Sequence, residues 1–366
     1  MDLALSDLER GVAESARAFL EDRGGIDRAR RVADGPDPYD HELWNEVLGL
    51  GWAEVAVAAD HGGLGLGVAG AALLLKEAGR VLAPVPILGT VMASSVVGIA
   101  GRDDQRIRWL PELATGVKRF AVAVSERGSG AHATTRAEPV RDGWRLQGTK
   151  TLVVDGPGVD AYLVLAESPA GPLFALVPST AVTVQAEITI DPVRAYATLA
   201  LEGVEVPGDD VLLGGAIEVD RALDACRVAV AAELVGAAER VLELAVEYVR
   251  EREQFGGPVG RYQGVSHPLA RVKVGVNSAR SLTEFAAWCI DGAHERAPEA
   301  ASMAKAAADD ACYQAATTAI QSFGGIGFTW ETDPHFFLKR ARASACILGG
   351  ASWHRERLAH IILDDA

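Results

Sequence analysis

The sequence predicts an α+β protein in three parts: an N-terminal helical domain, a central antiparallel β domain and a C-terminal helical bundle. Three observations predict it. Apolar residues recur with a helical period over the first ~110 residues. After about Lys118 the pattern changes to short β-prone runs separated by turns such as Asp142-Gly143 and Asp155-Gly-Pro-Gly158. From about Glu218 the helical period returns, and four or five amphipathic stretches on short connections imply a bundle. The expected boundaries are 1–117, 118–215 and 216–366.

Each element has a local cause. Leu5, Leu8, Val12, Ala16, Phe19 and Leu20 form one apolar stripe. A second helix over Tyr39–Leu50 stops at Gly51, the residue type that accepts a left-handed C-terminal conformation. Val68–Ala83 is apolar nearly all round in its first half, which predicts a buried helix, and Pro84 and Pro86 stop it. Strands are expected at Phe120–Val124, Trp144–Leu146, Thr151–Val154, Ala161–Leu165, Leu173–Val177 and Leu199–Val206. A parallel α/β sheet would need helices between these runs, and none fits. Leu234, Ala238, Val241, Ala245 and Tyr248 lie on one face of a long helix ending near Arg250. Further helices are expected at about Pro268–Asp291, Pro298–Ser322, Pro334–Cys346 and Ala351–Leu363.

Composition narrows the function classes. With 35 Lys+Arg against 50 Asp+Glu, the net charge of −15 argues against a nucleic-acid partner, which needs clustered Lys and Arg. Cys226, Cys289, Cys312 and Cys346 have neither zinc-ribbon nor C-x-x-C spacing, and no metal site is expected. Such sparse cysteine use fits a reducing compartment. The N-terminal stretch lacks a basic start and apolar run, and no apolar stretch reaches the ~20 residues that span a bilayer. The expectation is a cytoplasmic protein without membrane contact.

Three glycine-rich or polar motifs stand out. Asp60-His-Gly-Gly-Leu-Gly-Leu-Gly67 has glycines at nucleotide-fingerprint-like spacing, but a Rossmann fingerprint needs a preceding strand, so a tight interhelix loop is the expectation. Arg252-Glu-Gln-Phe-Gly256, followed by Pro258 and Gln263, lies just past the long helix. An Arg, two Gln and an aromatic ring around a helix-to-helix turn can bind a pyrophosphate and stack a ring, or can be a surface Arg beside a core Phe. Gln321-Ser-Phe-Gly-Gly-Ile-Gly-Phe328 closes another helix. Its paired glycines permit close ligand approach or serve as a helix cap.

The order of these motifs is more specific than any one of them. Trp44 and Gly51-Trp52 lead into Ala-Ala-Asp60-His-Gly-Gly-Leu-Gly65; Val206-Pro-Gly-Asp-Asp-Val-Leu212 closes the β region; the Arg252 and Gln321 motifs follow. From about residue 6 to 360 the chain resembles the acyl-CoA dehydrogenase family. The resemblance implies FAD held at a subunit interface. It also implies a glutamate that takes the α-proton of an acyl-CoA thioester while the β-hydride goes to the flavin. Arg252, Gln254, Phe255 and Gln263 match positions that contact the FAD of a neighbouring subunit, and Gln321, Gly324 and Gly325 match the rest of that contact.

Other family positions are changed. The own-chain flavin loop, roughly T-E-P-x-A-G-S-D, is matched by the shorter Ser125-Glu-Arg-Gly-Ser-Gly130. The K-x-W-I-T/S motif is Lys150-Thr-Leu-Val-Val154, so Leu152 replaces the aromatic and Val154 the hydroxyl. The two family positions for the base fall on Leu348 or Gly349 and on Cys226, which reads as a small residue packed in an apolar helix. Asp224 and Glu233 lie on the same helix away from the matched position and are expected to be surface charges. No residue of this chain is therefore assigned as catalytic.

Features that serve another subunit's flavin persist, whereas those serving the chain's own do not. This lopsidedness suggests a hetero-oligomer, as in actinobacterial steroid-type acyl-CoA dehydrogenases built from two unlike chains. The expected partner is a homologous subunit, in a heterotetramer, that supplies the glutamate. The small residues of Val91-Met-Ala-Ser-Ser95 admit a bulky acyl group. Two other readings stand beside this one: a self-sufficient homo-oligomer with an unusual base, and a non-enzymatic acyl-CoA-binding or scaffold protein of the same fold.

Overall fold

The computed structural model describes residues 6–127 and 134–364. Helices α1 (Asp7–Asp22), α2 (Ile26–Asp34), α3 (His41–Gly49), α4 (Gly67–Arg80), α5 (Ile87–Ala100) and α6 (Asp103–Ala114) come first. Ser6 opens α1 with a capping box: its hydroxyl accepts from the Glu9 N–H, and the Glu9 carboxylate accepts from the Ser6 N–H. Helix α3 ends where the sequence predicts, with Gly51 left-handed at φ 76°. The glycine-rich stretch before α4 is an interhelix loop, with Gly62, Gly65 and Gly67 all at positive φ.

Strands β1 (Phe120–Ala123), β2 (Arg136–Val140), β3 (Gly143–Val154), β4 (Ala161–Ser168), β5 (Gly171–Pro178), β6 (Thr183–Glu187), β7 (Tyr196–Pro207) and β8 (Val211–Leu212) form one sheet. The sheet is mixed rather than antiparallel throughout, which corrects the sequence expectation. β1 runs parallel to β4, pairing Phe120 with Ala161, and β2 meets β4 parallel at Arg136 and Glu167. The chain returns to β4 only after the β2–β3 hairpin, and that excursion is the long connection a parallel pair requires. Trp144–Leu146 and Thr151–Val154, expected as two strands, are the ends of the single strand β3, whose register against β7 shifts between Lys150 and Val153.

The bundle comprises α7 (Ala216–Glu251), α8 (Gln263–Asp291), α9 (Ala297–Phe323), α10 (Pro334–Ser344) and α11 (Ala351–Asp364). A two-stranded hairpin, β9 (Glu253–Gln254) and β10 (Gly257–Pro258), joins α7 to α8. Helix α7 is the axis of the molecule. It packs against α8, α9 and α10 and against α4 and α5 of the N-terminal helices, and its middle, Ala222–Ala238, is buried on every side. One apolar core consequently runs from α1 through α7 to α10. No described helix is long and apolar enough to cross a membrane.

Candidate functional site

Helix α7 ends because Arg252 turns extended, at φ −68° and ψ 119°, and the chain reverses through the β9–β10 hairpin. Gln254 pairs with Gly257, leaving a two-residue turn of Phe255 and Gly256. Both turn residues are left-handed, at φ 54° and 84°, as a type I′ turn demands. Phe255 is 90% exposed. A bulky aromatic in this backbone region is an outlier that the surroundings must hold in place. The Tyr262 hydroxyl donates to the Phe255 carbonyl at 2.9 Å, and the Arg261 guanidinium donates to the Gly256 carbonyl at 3.3 Å. Arg252, Gln254 and Gln263 are exposed, and none makes a side-chain hydrogen bond or ion pair among the described residues.

The second motif lies at the end of α9. Gln321, Gly324 and Gly325 are exposed, and Gly324, at φ 68°, turns the chain out of the helix. The two motifs share one end of the bundle. Tyr248, one turn before Arg252, stacks on Phe323, next to Gly324, and so joins the ends of α7 and α9. Tyr248, expected only as part of the apolar face of the long helix, and Tyr262, which no motif included, each lie within four residues of a motif residue.

The loop at Ser125 is described only as far as Arg127; Gly128–Gly130 lie outside the described residues. Its Glu126 accepts from Lys150, from the Thr134 and Thr135 amides and from the Thr134 hydroxyl. Burial alone would raise this carboxyl, but the Lys150 ammonium and the threonine donors outweigh it and bring it down to about 2. Beyond Lys150, Leu152 is left-handed at φ 52° and its N–H donates to the Glu187 carboxylate at 3.0 Å. Val154 is buried, 3% exposed, in the core shared with the helices. Neither side chain can donate or accept a hydrogen bond.

At the matched base positions the structure places no exposed acid. Cys226 is fully buried on α7 with its Sγ 3.8 Å from the Met92 carbonyl, and burial pushes its thiol up to about 12. Leu348 is 7% exposed. Gly349 lies at φ 97°, and a Cβ there would fall 2.5 Å from the Trp353 ring.

Asp224 and Glu233 correct the sequence expectation: they are buried, not surface charges. Because α7 is enclosed on all sides, a charge on it must be paired. Asp224 accepts from Arg227 and Arg357. Glu233 accepts from Arg194 at 2.8 Å and from Arg340 at 3.2 Å, and Arg340 also binds Asp191. Burial would raise the Glu233 carboxyl, but the two guanidiniums outweigh it and hold it below its ordinary range. A carboxylate so engaged has no open access to a substrate proton. The cluster ties the β-domain loop at Asp191–Arg194 to α7 and α10.

This arrangement has close counterparts. The acyl-CoA dehydrogenase N-terminal domain matches residues 6–117 and its C-terminal domain residues 214–363. Acyl-CoA dehydrogenase IpdE2 of Mycobacterium tuberculosis is 30% identical over 336 residues, 92% of this chain and 91% of that protein. Among solved structures, a variant of the Tcur3481-Tcur3483 steroid ACAD superposes with a TM-score of 0.91 at 31% identity, covering 98% of both chains. The ChsE4-ChsE5 complex from Mycobacterium tuberculosis gives 0.92 at 27%, covering 100% of this chain and 99% of that one. With helices, mixed sheet and bundle in the same order and both terminal domains matched, the chain belongs to the acyl-CoA dehydrogenase family.

Proposed function

We propose that this chain is one subunit of a heteromeric, flavin-dependent acyl-CoA dehydrogenase, in which it clasps a FAD seated on a homologous partner that supplies the catalytic glutamate. The observation that carries this reading is the contrast between two faces of the chain. Outward, Arg252, Gln254, Phe255 and Gln263 on the hairpin and Gln321, Gly324 and Gly325 at the end of α9 are exposed, and the Arg252, Gln254 and Gln263 side chains have no partners among the described residues. Inward, the positions that would serve the chain's own flavin and substrate hold Leu152, Val154, Cys226, Leu348 and Gly349, none of which offers a proton acceptor near neutral pH.

The residues present fit a trans-held FAD. The Arg252 guanidinium suits the pyrophosphate, because a charge-assisted, bidentate bond to phosphate is among the strongest contacts a surface side chain makes. The glycines at 324 and 325 leave room for close approach to the backbone on the adenosine side, with Gln321 beside them. Bound FAD supplies the hydride acceptor for α,β-desaturation of an acyl-CoA. The similarity to a steroid ACAD and to the ChsE4-ChsE5 complex supports a bulky, steroid-type acyl group and a homologous partner, for which the assembly proposed is a heterotetramer.

Flavin content tests the reading. The chain produced alone should hold little FAD, and co-production with a homologous glutamate-bearing chain should give a yellow complex with about one FAD per two polypeptides. One flavin per chain in the purified single protein would establish the self-sufficient homo-oligomer instead. No flavin in either preparation would favour the scaffold reading.

A further inference from the structure

The β9–β10 hairpin is built to keep one strained residue rigid and exposed. Type I′ turns favour Asn or Gly at the first turn position, where this chain has Phe255 at φ 54° with its ring 90% exposed. Among the described residues, the one ring against it is Tyr262, edge-on, 6.4 Å away at 85°. Burial therefore does not maintain the conformation; hydrogen bonds do. They come from the four residues after β10. The Val259 N–H donates to the Arg252 carbonyl at 2.8 Å. The Arg261 guanidinium donates to the Gly256 carbonyl and lies over the Tyr262 ring, 5.4 Å from its centroid. The Tyr262 hydroxyl donates to the Phe255 carbonyl and so acts directly on the strained residue.

We infer that Tyr262 is a positioning residue for the partner-held flavin. Its hydroxyl fixes Phe255 in left-handed backbone, so that the Phe255 ring meets the cofactor already arranged rather than being ordered by it. The inference rests on the proposed trans contact and adds a residue to it. A pre-organised contact avoids the ordering cost that a floppy hairpin would incur on binding. Tyr262 acts only through the hairpin, which distinguishes its role from a direct contact. Removing the hydroxyl should matter only while there is a Phe255 ring to position.

The experiment uses the co-produced heteromer and FAD titration of the deflavinated complex. Tyr262→Phe, which keeps the ring, should raise the FAD dissociation constant about threefold to tenfold, the effect of one hydrogen bond. The melting temperature should not move, because the bond lies on the surface. In a Phe255→Ala background the same change should have almost no further effect, since the group it positions is gone. Faster amide exchange at 254–257 in the flavin-free Tyr262→Phe complex would give the structural counterpart. Wild-type affinity in Tyr262→Phe, with affinity lost in Arg252→Ala, would overturn the positioning role and leave the clamp standing. An equal effect in both Phe255 backgrounds would also overturn it. Wild-type affinity in both Tyr262→Phe and Arg252→Ala would remove the trans contact itself.

Discussion

Tyr248 and Phe323 stack with ring centroids 4.2 Å apart and planes within 12° of parallel. One ring belongs to α7 and the other to α9, so the stack fixes the separation between the Arg252 hairpin and the Gly324 turn. Two segments about 70 residues apart in the chain are thereby presented as one surface, with intrahelical order on each side and an aromatic contact worth about 0.5–1.5 kcal/mol between them.

Arg252→Ala should weaken FAD retention by the assembled complex about tenfold or more, because a hydrogen bond to a charged group contributes roughly 1.5–3 kcal/mol. The variant should fold with unchanged stability, since the side chain is exposed and unpaired among the described residues. Flavin occupancy after gel filtration is the measurement. Full occupancy would take Arg252 out of the flavin contact.

Cys226→Ala should leave turnover of the complex nearly intact. The thiol is enclosed and pushed up to about 12, so it is not ionised at working pH. Loss of a true general base costs roughly 10²–10⁴ in rate. A fall of that size with FAD still bound would place the base on Cys226.

Glu233→Ala should be among the most destabilising single changes in the chain. It leaves Arg194 with Asp155 alone, at 3.7 Å, and removes one of the two carboxylates of Arg340 at the junction of β domain and bundle. Breaking a buried ion pair in this way costs about 3–5 kcal/mol. Urea unfolding would measure it, and a loss under about 1 kcal/mol would mean that the cluster carries little of the fold.

Acid should destabilise the protein in two overlapping stages. Burial depresses His335 to about 4 and His354 to about 3, below the ordinary 6.5, so both are neutral in the fold. The unfolded chain binds these protons more readily. Stability is therefore full above pH 6.5 and falls as pH drops through the folded values. Glu126, held at about 2 against an ordinary 4.5, adds a loss from about 4.5 downward. Glu126→Gln should flatten the lower limb and His354→Gln the upper, as read from melting temperature against pH. Identical curves for all three proteins would exclude both groups as the titrating sites.

The fold was legible wherever periodicity was strong. The long helix, expected to end near Arg250, ends at Glu251, and the helices expected from Pro298 and Pro334 begin at Ala297 and Pro334. Helix α8 begins at Gln263, five residues before Pro268, and so carries that proline in its second turn, without a hydrogen bond to the Gly264 carbonyl. β6 left no apolar signal: four of its five residues are exposed on the sheet edge, and only pairing with β7 defines it. The residues proposed to hold the partner's flavin could be read as motifs because each group is local in sequence. The charge cluster could not, because Glu233 meets Arg194 and Arg340 across 39 and 107 residues, and a charged residue on a helix looks the same whether its partner is water or a distant arginine.

Trp353 occupies the space that any side chain at position 349 would need, and it is itself flanked by Arg227 and Arg357 at 5.2 and 5.9 Å. The Gly349 carbonyl is in turn held by the buried Lys305 ammonium at 3.1 Å. An acidic residue introduced there would collide with the Trp353 indole where it now stands. A glutamate at 349 therefore calls for a second change, at Trp353, that makes room for it.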